Sequence, residues 1–212
     1  MTQQQQIQMP FMNLPVIKEK NDFTDLLHHY FFFSVEQEKG NVLPDNHVKQ
    51  KYYDANREKI KIQYNQNWSD FLESIKKIKL IKRFRVDIHS SMHSIKIICT
   101  LNSCGTNGIG VYLSWLGNLY TFYFISNQNP SNAPYFAIEF NTYLTYVPLN
   151  DKQRLASEEM ESMLNKYFPS FSRFNNDFAE IPINDIQTFY SFEKKTSLFK
   201  VLFNNYSGGI FF

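Results

Sequence analysis

The amino-acid sequence predicts an α+β fold: a central, mainly antiparallel sheet of about five to seven strands, with three or four helices packed mostly on one face. Three observations carry that expectation. Residues 97–138 contain no charged side chain, as expected of strands that supply the core of a sheet. Several segments alternate apolar and polar residues with period two, the signature of half-buried strands. Others place apolar residues three and four apart, the spacing of an amphipathic helix.

A chain of 212 residues buries roughly 70% of its unfolded surface and needs no covalent staple. Hydrophobic residues make up 43% and charged residues 20%, an ordinary globular balance. Residues 1–16, interrupted by Pro10 and Pro15, lack the basic start and continuous apolar run of a signal peptide. They read as a flexible arm, and residues 17–212 as a single α+β domain. Two cysteines, Cys99 and Cys104, form no disulfide framework, so the expected setting is cytoplasmic and reducing. The charge-free stretch is broken by Gly117-Asn118 and by scattered polar residues, unlike a membrane-spanning helix.

The first helix is expected from Asp22, with Phe23, Leu26, Leu27, Tyr30 and Phe31 on one face, ending near Gly40. Alternation over residues 58–64 predicts a strand, with Ile60, Ile62 and Tyr64 pointing inward. Asn67 is the expected cap of a helix whose stripe is Trp68, Phe71, Leu72, Ile75 and Ile78. Strands follow at 82–88 and 94–101. A hairpin is expected over 109–116 and 119–126, turning on Gly117-Asn118, with Trp115 opposite Tyr120, Leu113 opposite Phe122 and Val111 opposite Phe124. Its other face carries Tyr112, Ser114, Thr121 and Tyr123, and is either covered by a helix or a surface for a partner. Residues 135–147 form a long strand or a bent pair. A helix runs from a cap at Asn150 to Pro169, with a stripe of Leu155, Met160, Met163, Leu164, Tyr167 and Phe168. Ile186, Phe189 and Tyr190 suggest a short helix, residues 197–203 an edge strand, and Gly208 to Phe212 an apolar tail.

Charge is segregated along the chain. Residues 49–85 carry eleven Lys and Arg against four Asp and Glu, residues 86–150 only Asp87, Lys96 and Glu139, and residues 151–193 eight acids against four bases. The run Lys76, Lys77, Lys79, Lys82, Arg83, Arg85 is a candidate phosphate-contacting patch, with Trp68, Tyr52, Tyr53 and Tyr64 as candidate stacking residues. The plain alternative is that cations at a helix C-terminus suit its dipole.

Other candidate chemistry is sparse. Asp87 and Glu139, on neighbouring strands, would hold a divalent metal for hydrolysis or phosphodiester cleavage. The residue following Glu139-Phe140 is Asn141 rather than the Lys of restriction-type nuclease sheets, and solvation or pairing with Arg83, Arg85 or Lys96 is the simpler account. His89 and His93 are separated by a turn, and the adjacent His28 and His29 diverge by about 100° on a helix. Cys104 lies in a Gly/Asn loop and would need His89 or His93 as a base to act as a nucleophile. No cofactor is implied.

These residues lead to the expectation of a non-enzymatic binding protein acting through a protein partner, as an inhibitor, an immunity-type protein or an accessory subunit. The partner surface would be Tyr112, Ser114, Thr121 and Tyr123. The alternatives are a nucleic-acid-binding module using residues 76–85 and a metal-dependent hydrolase.

Overall fold

A computed structural model describes residues 23, 25–27, 30, 32–33, 46–88, 94–130, 135–139, 142–187 and 192–203. In chain order these contain β1 (Phe32–Phe33), α1 (Asn46–Ile62), α2 (Gln66–Lys76), β2 (Arg83–Asp87), β3 (Ser94–Thr100), β4 (Asn107–Ser114), β5 (Leu119–Ser126), β6 (Tyr135–Glu139) and β7 (Thr142–Thr145). They continue with α3 (Asp151–Tyr167), β8 (Ser172–Arg173), a 3₁₀ turn (Asn176–Phe178), β9 (Pro182–Gln187), β10 (Phe192–Ser197) and α4 (Leu198–Phe203). The main sheet runs β2-β3-β4-β5-β7-β6, every pair antiparallel, with β8 joined in parallel to β5. A smaller antiparallel sheet runs β1-β9-β10. The α+β fold with a mainly antiparallel sheet is therefore the one the residue pattern predicts, except that helices cover both faces of the sheet rather than mostly one.

Both faces of the main sheet are apolar and both are covered. On one, Ile95, Ile97 and Cys99 of β3, Ile109, Val111 and Leu113 of β4 and Tyr120, Phe122 and Phe124 of β5 pack against Trp68, Phe71 and Ile75 of α2 and Met160 and Leu164 of α3. On the other, Ile98, Tyr112, Tyr123, Ile125 and Leu144 pack under Phe23, Leu26, Leu27 and Tyr30 and under Leu198, Phe199, Leu202 and Phe203 of α4. Each such side chain contributes about 1.5–3 kcal/mol on leaving water. α4 is tied down by polar bonds as well. Leu198 N donates to Ile181 O at 2.9 Å, Phe199 N to Ala179 O at 3.0 Å, and Ser94 Oγ to Phe203 O.

The central hairpin keeps the predicted faces but not the predicted register. Leu113 lies opposite Tyr120, Val111 opposite Phe122 and Ile109 opposite Phe124, a slip of two residues. Side chains alternate with period two, so a two-residue slip leaves every face assignment intact. The turn spans four residues, Trp115 to Asn118. Gly117 and Asn118 take positive φ of 76° and 51°, the conformation that suits Gly and Asn. Gly110 lies opposite Tyr123, and a Cβ there would come within 1.7 Å of the Tyr123 ring. The missing side chain lets that ring lie across β4.

Two polar side chains add hydrogen bonds at the ends and outer edge of the central strands. Gln153, fully buried on α3, donates from Nε2 to Asn107 Oδ1 at 2.9 Å, Gly108 O at 3.2 Å and Ile125 O at 2.9 Å, and accepts from Leu149 N at 2.7 Å. It thereby joins α3 to the ends of β4 and β5. Asn176 serves the outer edge of β5, which pairs β8 at Leu119–Tyr120 and β7 only from Phe124. Phe174 N donates to Tyr120 O at 2.8 Å, and Asn176 Nδ2 continues the row by donating to Phe122 O at 3.2 Å. Asn176 Oδ1 accepts from Thr121 Oγ1 at 2.6 Å.

Several local expectations are corrected. Residues 58–62 close α1 rather than forming a strand. Ala55, Lys59 and Ile62, at helical spacing, are its inward residues, while Ile60 and Tyr64 are exposed. The Lys, Glu, Arg and Ala content of residues 55–61 favours helix, and burial of that stripe outweighs the short alternation. The cap of α2 is Asn65, which accepts from Asn67 N, two residues earlier than expected. The α3 stripe is Gln153, Ala156, Met160 and Leu164, with Leu155 exposed. Its cap at Asn150 is as expected. Residues 135–147 contain a bent pair, β6 and β7. Residues 182–187 form β9 rather than a helix, and 198–203 form α4 rather than an edge strand. The N-terminal arm, Gly40, Pro44, Phe31, Phe140, Phe189, Tyr190 and the tail from Gly208 lie outside the described residues.

Replacing Gln153 with Leu keeps the volume but removes the side chain's bonds to Asn107 Oδ1 and Leu149 N and the additional bonds to Gly108 O and Ile125 O. The variant is expected to lose about 1–3 kcal/mol, measured as a lower urea midpoint with unchanged m-value. A loss below 1 kcal/mol would show that water replaces the side chain.

Candidate functional site

The basic run is the one sequence candidate that the fold leaves accessible as a group. Lys76 closes α2, Lys77 is its C-cap, Lys79 sits in the connecting turn, and Lys82, Arg83 and Arg85 lead along β2, an end strand of the sheet. All six are exposed. Lys76 pairs with Glu73 on its own helix. Among the described residues Lys77, Lys79, Lys82 and Arg83 have no carboxylate at ion-pair distance. The alternation of β2 turns Phe84 and Val86 inward against the α2/α3 side of the core and Arg83 and Arg85 the other way. Trp68 is not part of this surface. It is 4% exposed, packed against Phe71 and Phe168 with ring centroids 5.8 and 6.1 Å away. Tyr64 and Tyr53 are 87% and 52% exposed, and the side chain of Tyr52 lies outside the described residues.

The expected partner surface is buried. Tyr112, Ser114, Thr121 and Tyr123 are each 2% exposed or less. Tyr112 lies under Phe199 and Phe203 of α4, at 5.6 and 6.1 Å. Thr121 is held by Asn176, and Ser114 accepts from Leu116 N at 3.2 Å. Of the two readings of that face, the covered one holds, because a second apolar layer was available from residues distant in sequence. The Tyr123 hydroxyl is buried with no hydrogen-bond partner among the described residues, and burial keeps it protonated far above its ordinary range.

Asp87 and Glu139 do not meet. They lie on β2 and β6, opposite ends of the six-strand order. Five strand spacings put them about 24 Å apart, too far to share an ion. Asp87 faces Lys96 at 3.7 Å instead. Among the described residues no group of three His, Cys, Asp or Glu side chains could hold a metal ion. His28, His29, His89 and His93 lie outside them. Cys99 is fully buried, and burial pushes its thiol up to about 12, so it carries no thiolate at neutral pH. Cys104 is exposed.

An open groove of about 340 Å³ is lined by Tyr146, Arg173, Phe174, Asn175 and Asn176. Its polar groups are already engaged. Arg173 Nη1 pairs with Glu161 at 2.9 Å, Tyr146 Oη donates to Glu180 at 2.7 Å, and Asn175 Oδ1 accepts from Asp177 N at 3.0 Å. Burial, reinforced by Glu180, holds the Tyr146 hydroxyl protonated.

Lys59 is the least conspicuous charged group in the sequence and the most unusual in the fold. It lies fully buried on the inner side of α1, and loss of solvation lowers its ammonium to about 8 from 10.5. No apolar pattern marks it, because a lysine within Lys59-Ile60-Lys61 reads as a solvated position.

No protein-family model, no curated protein and no solved structure matches this chain. The fold and site define a protein with a mixed α/antiparallel-sheet core and an exposed cationic edge. Among the described residues no helix is long and apolar enough to cross a membrane.

Two measurements check these assignments. A thiol reagent is expected to label one cysteine, Cys104, in the native protein and both after denaturation; labelling of Cys99 at the same rate would contradict its burial. Between pH 8 and 10.5 the unfolded chain holds a proton at Lys59 that the folded chain has released. Stability therefore rises with pH across that window and is flat, on this account, below it. Lys59→Met is expected to abolish that rise in denaturant melts, and an unchanged rise would assign it to another group.

Proposed function

We propose that this protein binds nucleic acid through the exposed cationic edge formed by the end of α2 and by β2. The observation that carries the reading is the exposure of all six side chains, Lys76, Lys77, Lys79, Lys82, Arg83 and Arg85, within ten residues of one edge. Phosphate contacts by Lys and Arg supply most non-specific nucleic-acid affinity. Two structural duties account for some of these charges. Lys76 and Lys77 complement the helix dipole, and charged residues on an end strand discourage edge-to-edge pairing. Neither duty requires six cations, of which four have no carboxylate partner among the described residues.

The reading as an inhibitor, immunity-type protein or accessory subunit drew on the Tyr112/Tyr123 face and on the termini. That face is buried and the termini lie outside the described residues, so charge segregation is the support that remains for it. The hydrolase reading loses the pairing of Asp87 with Glu139.

Replacing Lys82, Arg83 and Arg85 together with Ala is expected to weaken binding at low salt. It should also reduce the slope of log affinity against log salt by about 2–3, the contribution of three phosphate contacts. Fluorescence anisotropy with labelled oligonucleotides over a salt series measures both. A variant that folds, by its melting temperature, and keeps the wild-type slope would sink the proposal.

A further inference from the structure

The chain holds a single Asn-Gly pair, Asn107-Gly108, at the start of β4. Such a pair is prone to lose its side-chain amide, because a residue without Cβ leaves its backbone nitrogen open. The nitrogen of Gly108 attacks Cγ of Asn107. A Cγ–N bond forms, the Cγ–Nδ2 bond breaks, and Nδ2 leaves as ammonia with the proton from Gly108. Water then opens the cyclic imide. Opening at Cγ leaves aspartate. Opening at the main-chain carbonyl leaves isoaspartate, whose backbone runs through Cβ and Cγ.

The fold commits both members of the pair. A Cβ at position 108 would come within 2.5 Å of Cys99 O on β3, so a larger residue there would displace the backbone of the neighbouring strand. Asn107 Oδ1 accepts from Gln153 Nε2 at 2.9 Å. Its backbone N donates to Asn102 Oδ1 at 3.3 Å, and its carbonyl accepts from Leu101 N at 2.8 Å.

The same contacts hold the reaction off. Ring closure brings Cγ onto Gly108 N and turns ψ of Asn107 away from the extended value of about +135°. Strand pairing fixes the extended form: Asn107 lies opposite Ser126, and Gly108 lies opposite Thr100 and Ile125. Gln153 Nε2 reaches Asn107 Oδ1 and Gly108 O together, at 2.9 and 3.2 Å. One fully buried amide thus holds the side chain that would be attacked and the residue that would attack it. Gly108 is itself buried, which keeps out the water needed for the second step.

We propose that Asn107-Gly108 is a deamidation site held closed by Gln153 and the β4 pairing, and that it reacts when this end of the sheet opens. The isoaspartate product adds one carbon to the backbone of β4. Residues on its two sides then cannot both keep register with β3 and β5, so a chain that has opened once stays marked. The aspartate product keeps an acceptor for Gln153 and leaves the register intact.

The test incubates the full chain in mildly alkaline buffer, native and in urea above its midpoint. Peptide mapping by mass spectrometry and an isoaspartyl methyltransferase assay are the readouts. In urea, Asn107 is expected to be the first asparagine lost, giving aspartate and isoaspartate. The native chain should lose it at least about tenfold more slowly, since only its open fraction reacts. Gln153→Leu, shown to be folded by its melting curve, should react in native buffer about 5- to 150-fold faster than wild type, the bonds of Gln153 having opposed opening. Asn107→Asp should fold and show no mass change in this peptide. Equal rates for wild type in native buffer and in urea would overturn the proposal, as would loss in urea that begins at another asparagine. A folded Gln153→Leu that reacts no faster than wild type would overturn it too. The wild-type comparison decides the matter if that variant does not fold.

Discussion

The strands β3, β4 and β5 are apolar on both faces, and that constraint organises the rest of the chain. A strand with one wet face tolerates charge every second residue. Between Ile97 and Ile138 there is none. Such strands are stable only if both faces are taken out of water, so a helical layer is needed on each side. α2 and α3 supply one layer. Phe23, Leu26, Leu27, Tyr30 and α4 supply the other, from positions more than 160 residues apart. The three-layer arrangement follows from this demand rather than from the helices' own propensities, which are weak for the aromatic residues of α4.

Covering a sheet twice creates a polar problem at its ends and edges, where carbonyls run out of strand partners. Asn176 addresses it with a side-chain amide, which carries donor and acceptor together, and Gln153 adds further bonds to carbonyls already in the β4–β5 ladder. Gln153 meets the strand ends under α3. Asn176 occupies the gap on β5 between β8 and β7. Both are buried or half-buried and nearly saturated, so they contribute definition as well as stability. The unsatisfied Tyr123 hydroxyl is the counterexample: its ring lies across Gly110, which places the oxygen where no described group reaches it.

The same economy explains where function can reside. Aromatic residues that look available in one dimension, Trp68 and Tyr112 among them, are consumed by the two core layers. Among the described residues, what remains exposed includes the cations from Lys76 to Arg85 and, on α1 and the turn after it, Tyr53, Ile60 and Tyr64. These flank α2, whose inner side is committed to the core through Trp68, Phe71 and Ile75. One short helix thus separates the two surfaces while its packing holds them in fixed relation.

Much of the fold was legible in the residues, and the failures have physical causes. Local periodicity identified β2, β3, both strands of the central hairpin, α2 and α3, because each has a strong apolar pattern of one period. Asn150 and Pro169 bounded α3 through capping and the missing proline N–H. Residues 58–62 were misread because Ile60-Lys61-Ile62 satisfies both periods, and only contact with the core selects helix. Residues 198–203 were misread because LFKVLF is apolar all round, which separates buried from exposed but not helix from strand. The hairpin register escaped by two residues because strand length and turn geometry are settled by cross-strand packing, although the faces did not. For the site, the cationic run could be read directly, since charge placement is a property of the chain. Burial of Trp68, Tyr112 and Tyr123, the distance between Asp87 and Glu139, and the exposure of Tyr53, Ile60 and Tyr64 could not. Sequence alone determined the α+β class and the segregation of charge, because hydrophobic period and ionisation are local. Tertiary structure decided which aromatic residues face solvent, because that depends on which distant segment arrives to cover each face.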